Sequence, residues 1–127
     1  MAVSLTVPEF EHLVEQAMDR LPQWVAEQMA NVYVAVAWVP AAEQRAASRL
    51  EPGAMLLGLY EGVPLTRRTR GYHLSSPDRI TLFQRSLQLL AQDETHLAAL
   101  IQQTIVHEIG HHFGLSEEDL ARLDGQV

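Results

Sequence analysis

The sequence predicts an α+β fold: a small mixed sheet of about three to four strands with helices packed on one face. Three observations lead there. Apolar residues recur at helical spacing over 10–21 and again over 97–113. Between these stretches lie three runs rich in β-branched and apolar residues, at 31–39, 55–60 and 79–83, which read as strands. The strands therefore come as a block instead of alternating one for one with helices, the order expected of α+β domains.

Each element has its own local signal. Thr6-Val7-Pro8-Glu9 is a capping-box pattern with proline in the first turn. Behind it Phe10, Leu13, Val14, Ala17, Met18 and Leu21 form one apolar stripe. Pro22 ends that helix, and PQWVAEQMA (22–30) supplies a short second one. NVYVAVAWV (31–39) is almost continuously apolar and reads as a strand buried on both faces. MLLGLY (55–60) and RITLF (79–83) are shorter strands, introduced by Pro-Gly and Pro-Asp. Residues 61–78 between them show no periodicity, and a loop of that length in a compact domain is commonly functional or disordered.

From Asp93 to Phe113 the pattern is helical, with Gly114 as its stop. Leu97, Ile101, Ile105 and Ile109 make a stripe that Ala99, Val106 and Phe113 widen, so this helix is expected at the centre of the domain. SEEDLARL (116–123) closes the chain as a last short helix.

The 127 residues suit a single domain, 1–127. An apolar fraction of 47% and a charged fraction of 20% are ordinary for a globular protein. No apolar run approaches the roughly 20 residues that cross a bilayer. The opening MAVSLTVPEFEH lacks the basic start of a signal peptide, so a cytoplasmic address without membrane attachment is expected. The formal charge of −7 argues against nucleic acid as the main partner. There is no cysteine, so a transition-metal site must be built from histidine and carboxylate.

Those residue types crowd together in HEIGHHFGLSEED (107–119). His107 and His111 are four apart on the long helix, one turn above the other, and two imidazoles so placed can reach one ion. Glu108 lies about 100° around the axis from His107. It is badly placed to join the same shell and well placed to take a proton from a water bound to the ion, the division of labour in H-E-x-x-H. A third ligand falls ten residues after the first in the extended H-E-x-x-H-x-x-G-x-x-H pattern. That position is Glu117, and Gly114 permits the left-handed turn that swings the chain back. Asp119 is the next candidate. Ser116-Glu117-Glu118-Asp119 reads equally as an ordinary helix start, with Ser116 as cap and acids in the first turn.

Only 13 residues follow Gly114, so groups that align substrate or steady an oxyanion must come from upstream. Tyr72 and His73, with Arg67, Arg68 and Arg70, are the polar candidates in the long loop. His112 points away from the His107/His111 face, and His12 and His96 read as surface residues.

GLYEGVPLT (58–66), PDRITLF (77–83) and VHEIGHHFGLSEEDL (106–120), in that order, resemble segments of the small bacterial zincin-like metallopeptidases, also described as minimal metalloproteases. The resemblance implies an α+β domain whose H-E-x-x-H helix, near the C-terminus, packs beneath a small sheet, and it implies a peptidase activity. His107, Glu108, His111 and Gly114 match the motif, whereas position 117 is often aspartate in that family and glutamate here. The rRNA-maturation metalloendoribonucleases share the histidine spacing but typically carry glycine in place of Glu108.

The expected function is hydrolysis of peptide bonds in a peptide or protein substrate, with one zinc ion held by His107, His111 and Glu117 and with Glu108 as general base. The alternatives are a non-catalytic metal-binding or protein-interaction module on the same scaffold and, further off, a metal-dependent endoribonuclease.

Overall fold

A computed structural model describes residues 3–48, 53–62 and 78–124, the side chains of the last two excepted. In chain order its elements are α1 (Val7–Asp19), α2 (Gln23–Gln28), a 3-10 turn (Met29–Asn31), β1 (Val32–Ala37), α3 (Ala42–Ser48), β2 (Gly58–Glu61), β3 (Asp78–Phe83), α4 (Gln84–Leu90), α5 (Glu94–His112) and α6 (Glu117–Asp124). The fold is α+β. The strands form one mixed sheet in the order β1-β3-β2, with β1 parallel and β2 antiparallel to β3.

The capping signals act as expected. The Thr6 hydroxyl accepts from the Glu9 N–H at 3.2 Å, and the Glu9 carboxylate accepts from the Thr6 N–H at 2.8 Å. Asp93 caps α5 by accepting from the His96 N–H at 2.7 Å. Helix α1 buries Phe10, Leu13, Val14 and Ala17, and α5 buries Leu97, Ile101, Ile105, Val106 and Ile109 against the same core. Ile80 and Leu82 of β3 complete that core from the sheet. Helix α5 thus lies at the centre, although Ala99 and Phe113 face out, and Phe113 is 51% exposed.

The segment before α1 is tied down by two buried glutamines. Gln88 Oε1 accepts from the Leu5 N–H and Gln84 Nε2 donates to the Leu5 carbonyl, each at 3.0 Å. The two amides also bond one another at 3.0 Å, so each buried polar group is answered.

Three expectations change. The run at 31–39 is not a strand buried on both faces: among the described residues β1 is an edge strand, partly buried, with Tyr33 45% exposed and Trp38 and Val39 open beyond its end. Its valines pack on the core, while the central place belongs to β3, whose last four residues are all buried. Strand β2 starts at Gly58, so the segment from Met55 leads into the strand without belonging to it. Helices α3 and α4 were not expected; both are seven-residue helices, too short for a clear apolar period. Most of the long loop, 63–77, lies outside the described residues. No described helix is long and apolar enough to cross a membrane.

Helix α5 and strand β2 approach each other closely at Gly58. A Cβ built on Gly58 would stand 2.6 Å from Thr104 Cγ2 and 3.2 Å from the Thr81 carbonyl oxygen. Thr104 is β-branched, sits mid-helix and donates to the Leu100 carbonyl at 2.7 Å, so it has little freedom to retreat. Gly58→Ala should therefore lower stability by about 1–3 kcal/mol in urea denaturation. Thr6→Ala, which removes only a surface cap, should cost about 1 kcal/mol in the same measurement.

Candidate metal centre

The last turns of α5 present two faces. Thr104, Glu108 and His112, spaced by four, run along the side that meets β2. His107 and His111 form the adjacent row. Their imidazoles are nearly parallel, 18° between planes, with centroids 6.1 Å apart.

The chain beyond α5 returns a carboxylate to that second row. Gly114 has φ +81°, in the left-handed region. The Leu115 N–H donates to the Gly110 carbonyl at 2.8 Å and the Gly114 N–H to the His111 carbonyl at 3.1 Å, the paired bonds of a Schellman ending. One residue later α6 is capped: Ser116 Oγ accepts from the Asp119 N–H at 3.1 Å, and an Asp119 carboxylate oxygen accepts from the Ser116 N–H at 3.0 Å. Glu117 is the first residue of α6, and its carboxylate spans both histidines. Oε1 stands 2.8 Å from His111 Nε2, and Oε2 stands 3.7 Å from His107 Nε2. The ring protons needed for these contacts are a matter of tautomer.

Among the described residues no group of three or more His, Cys, Asp or Glu side chains is arranged so that it could hold a metal ion. Two atoms each about 2.1 Å from a tetrahedral ion stand roughly 3.4 Å apart, so the 2.8 Å contact is a direct hydrogen bond. The donor set itself fits zinc: two imidazole nitrogens and a carboxylate, the latter 68% exposed and able to swing back. The helix start and the carboxylate bridge coexist, because the cap uses Ser116 and Asp119 and leaves the Glu117 side chain to the histidines. Asp119 is engaged elsewhere, with Ser116 and Arg122, and does not approach the histidine pair.

Glu108 faces the strand. Its Oε1 accepts the Tyr60 backbone N–H at 2.8 Å. The Phe83 N–H bonds the Leu57 carbonyl, so by antiparallel alternation Leu59 and Glu61 turn their backbone groups to β3 and Tyr60 turns its own away. Burial pushes the Glu108 carboxyl above its ordinary range, against the opposing pull of the Tyr60 N–H and the two histidines.

The Tyr60 ring stacks on His112, centroids 3.9 Å apart and 16° between planes, and its hydroxyl donates to Asp78 Oδ2 at 2.6 Å. His112 is thus packed away from the His107/His111 row, as its helical position predicts. Tyr60 and Asp78 were not among the sequence candidates, because nothing local marks a strand residue that meets a helix 48 positions later. His12 is exposed and bonds Gln16, while His96 is partly buried and its ring accepts from the Gln92 N–H. Tyr72, His73 and the three loop arginines lie outside the described residues.

Comparison with known proteins agrees with this architecture. The zincin-like metallopeptidase family matches residues 29–127. No curated protein matches. Among solved structures, a conserved hypothetical protein from Thermus thermophilus superposes with a TM-score of 0.54 at 22% identity, covering 96% of this chain and 100% of that one. That likeness shows a shared fold. The family match spans helix α5, the glycine turn and α6, and with it the chain belongs to the zincin-like metallopeptidase family.

Proposed function

We propose that the chain is a zinc-dependent peptidase acting on extended peptide segments, with His107, His111 and Glu117 holding one ion and Glu108 serving as general base. The observation that carries this reading is the split of two carboxylates across one helix end. Glu117 is drawn to both histidines, whereas Glu108, beside them in sequence, is held by the strand.

A zinc ion bound there would supply a Lewis acid that polarises the substrate carbonyl and acidifies a water. The remaining chemistry belongs to the chain. Tyr60 fixes Oε1 of Glu108, and among the described residues Oε2 has no other partner, so it is the atom that takes the proton of the attacking water and passes it to the leaving amine. His107 and His111 offer their Nε2 atoms from a helix anchored by Ile105 and Ile109, which keeps the donor pair rigid. Strand β2 is an edge strand among the described residues, and a peptide laid along it would run past Glu108. A second reading, a binding module on the same scaffold, is supported by the direct His111–Glu117 bond, which answers the histidine without any ion.

Zinc titration of the purified chain near neutral pH separates the two. About one ion per chain is expected. Glu117→Ala should weaken binding by at least the 10–100-fold typical of disturbing a ligand's support, and Glu118→Ala, one residue on, should leave it unchanged. A chain that takes up no zinc ends the peptidase reading. If zinc binds, Glu108→Gln should keep the ion and lower peptide hydrolysis by about 100-fold or more, the scale of a lost general base. Hydrolysis unaltered in that variant removes Glu108 from its role.

A further inference from the structure

We infer that Tyr60 is a positioning residue for Glu108, acting through its backbone N–H, with its side chain fixing the strand that carries that group. The inference rests on the role proposed for Glu108.

A carboxylate on the last turns of a helix keeps several rotatable bonds, and a general base works only if its oxygen is aimed. Here the aim comes from β2. The 2.8 Å bond to Oε1 is charge-assisted and made to a main-chain group, so it admits fewer arrangements than a bond to a mobile side chain. An edge strand of four residues is by itself a weak place to hold such a donor.

Three contacts secure it, two of them made by the Tyr60 side chain. Its ring lies flat on His112, one helical turn beyond Glu108, which locks β2 to α5 on the far side of the carboxylate. Its hydroxyl bonds Asp78 at the start of β3, which locks β2 to the centre of the sheet. Gly58, two residues earlier, admits Thr104, one helical turn before Glu108. The carboxylate is therefore bracketed by contacts on both sides. None of them involves His107, His111 or Glu117, so the arrangement can be disturbed without removing a proposed ligand.

The test pairs hydrogen exchange with kinetics. The amide of residue 60 should exchange slowly in the wild type and in Glu108→Gln, which keeps an acceptor oxygen, and roughly 10-fold faster in Glu108→Ala. Tyr60→Ala should show the same faster exchange and bind zinc as tightly as wild type. Its kcat on a quenched peptide should fall by about 10–100-fold at unchanged KM, as expected of a misaimed base. Tyr60→Phe keeps the ring and loses the Asp78 bond, and it should shift both readouts in the same direction by about 3-fold or more. A residue-60 amide that exchanges at the wild-type rate in Glu108→Ala overturns the inference. So does wild-type kcat in Tyr60→Ala or, where that variant does not fold, in Tyr60→Phe. A wild type that cleaves no peptide refutes the peptidase reading, while the exchange comparison still decides whether Tyr60 holds Glu108.

Discussion

The seating of α5 on β2 is the constraint on which the rest of the molecule depends. One helical turn advances about 6 Å over four residues, and two strand residues advance about 6.6 Å. Helix positions four apart can therefore keep step with strand positions two apart. Thr104 meets Gly58 and Glu108 meets Tyr60 in that step. The next helix position, His112, folds onto the ring of Tyr60 and closes the row. A side chain at position 58 would lift the helix and break the step at its first contact. The glycine matters for a missing Cβ and not for any unusual φ.

This row also sorts the chemistry. Facing β2 are a packing residue, a held carboxylate and a stacking histidine; on the neighbouring row are two histidines open to a carboxylate from α6. The H-E-x-x-H spacing could separate the two proposed roles here because a surface is present on each side of the helix end. Partial burial of Glu108 against the strand raises its proton affinity, while His107 and His111 remain 41% and 48% exposed.

Much of this was legible from local signals. Capping boxes, the stripe on α5 and the left-handed glycine are contacts within a few residues, and each appeared where its pattern stood. The histidine pair and the tenth-residue carboxylate were legible for the same reason. Strand order was not, because it depends on which strand has neighbours on both sides: the valine-rich 31–39 run lies at an edge and DRITLF in the centre. Tyr60 and Asp78 were hidden because their roles come from β2 meeting α5 and β3, partners 18 to 52 positions away. Helices α3 and α4 were missed because seven residues barely complete two turns.

The glutamate at position 117 can be understood from the backbone around it. The Schellman ending of α5, which includes Leu115, runs directly into the Ser116 cap of α6, so the Cα of residue 117 is placed by hydrogen bonds on both sides. The reach of the side chain is then the remaining variable. Glutamate brings its oxygen to 2.8 Å from His111 Nε2, closer by about 0.6 Å than two ligands of one tetrahedral ion would stand. Aspartate, shorter by one bond of about 1.5 Å, would stand too far back for that direct bond. The extra methylene therefore favours direct bridging of the histidines, and an ion would have to displace that bond. Because the carboxylate is 68% exposed and the bond is open to water, the displacement costs little more than a rotamer change.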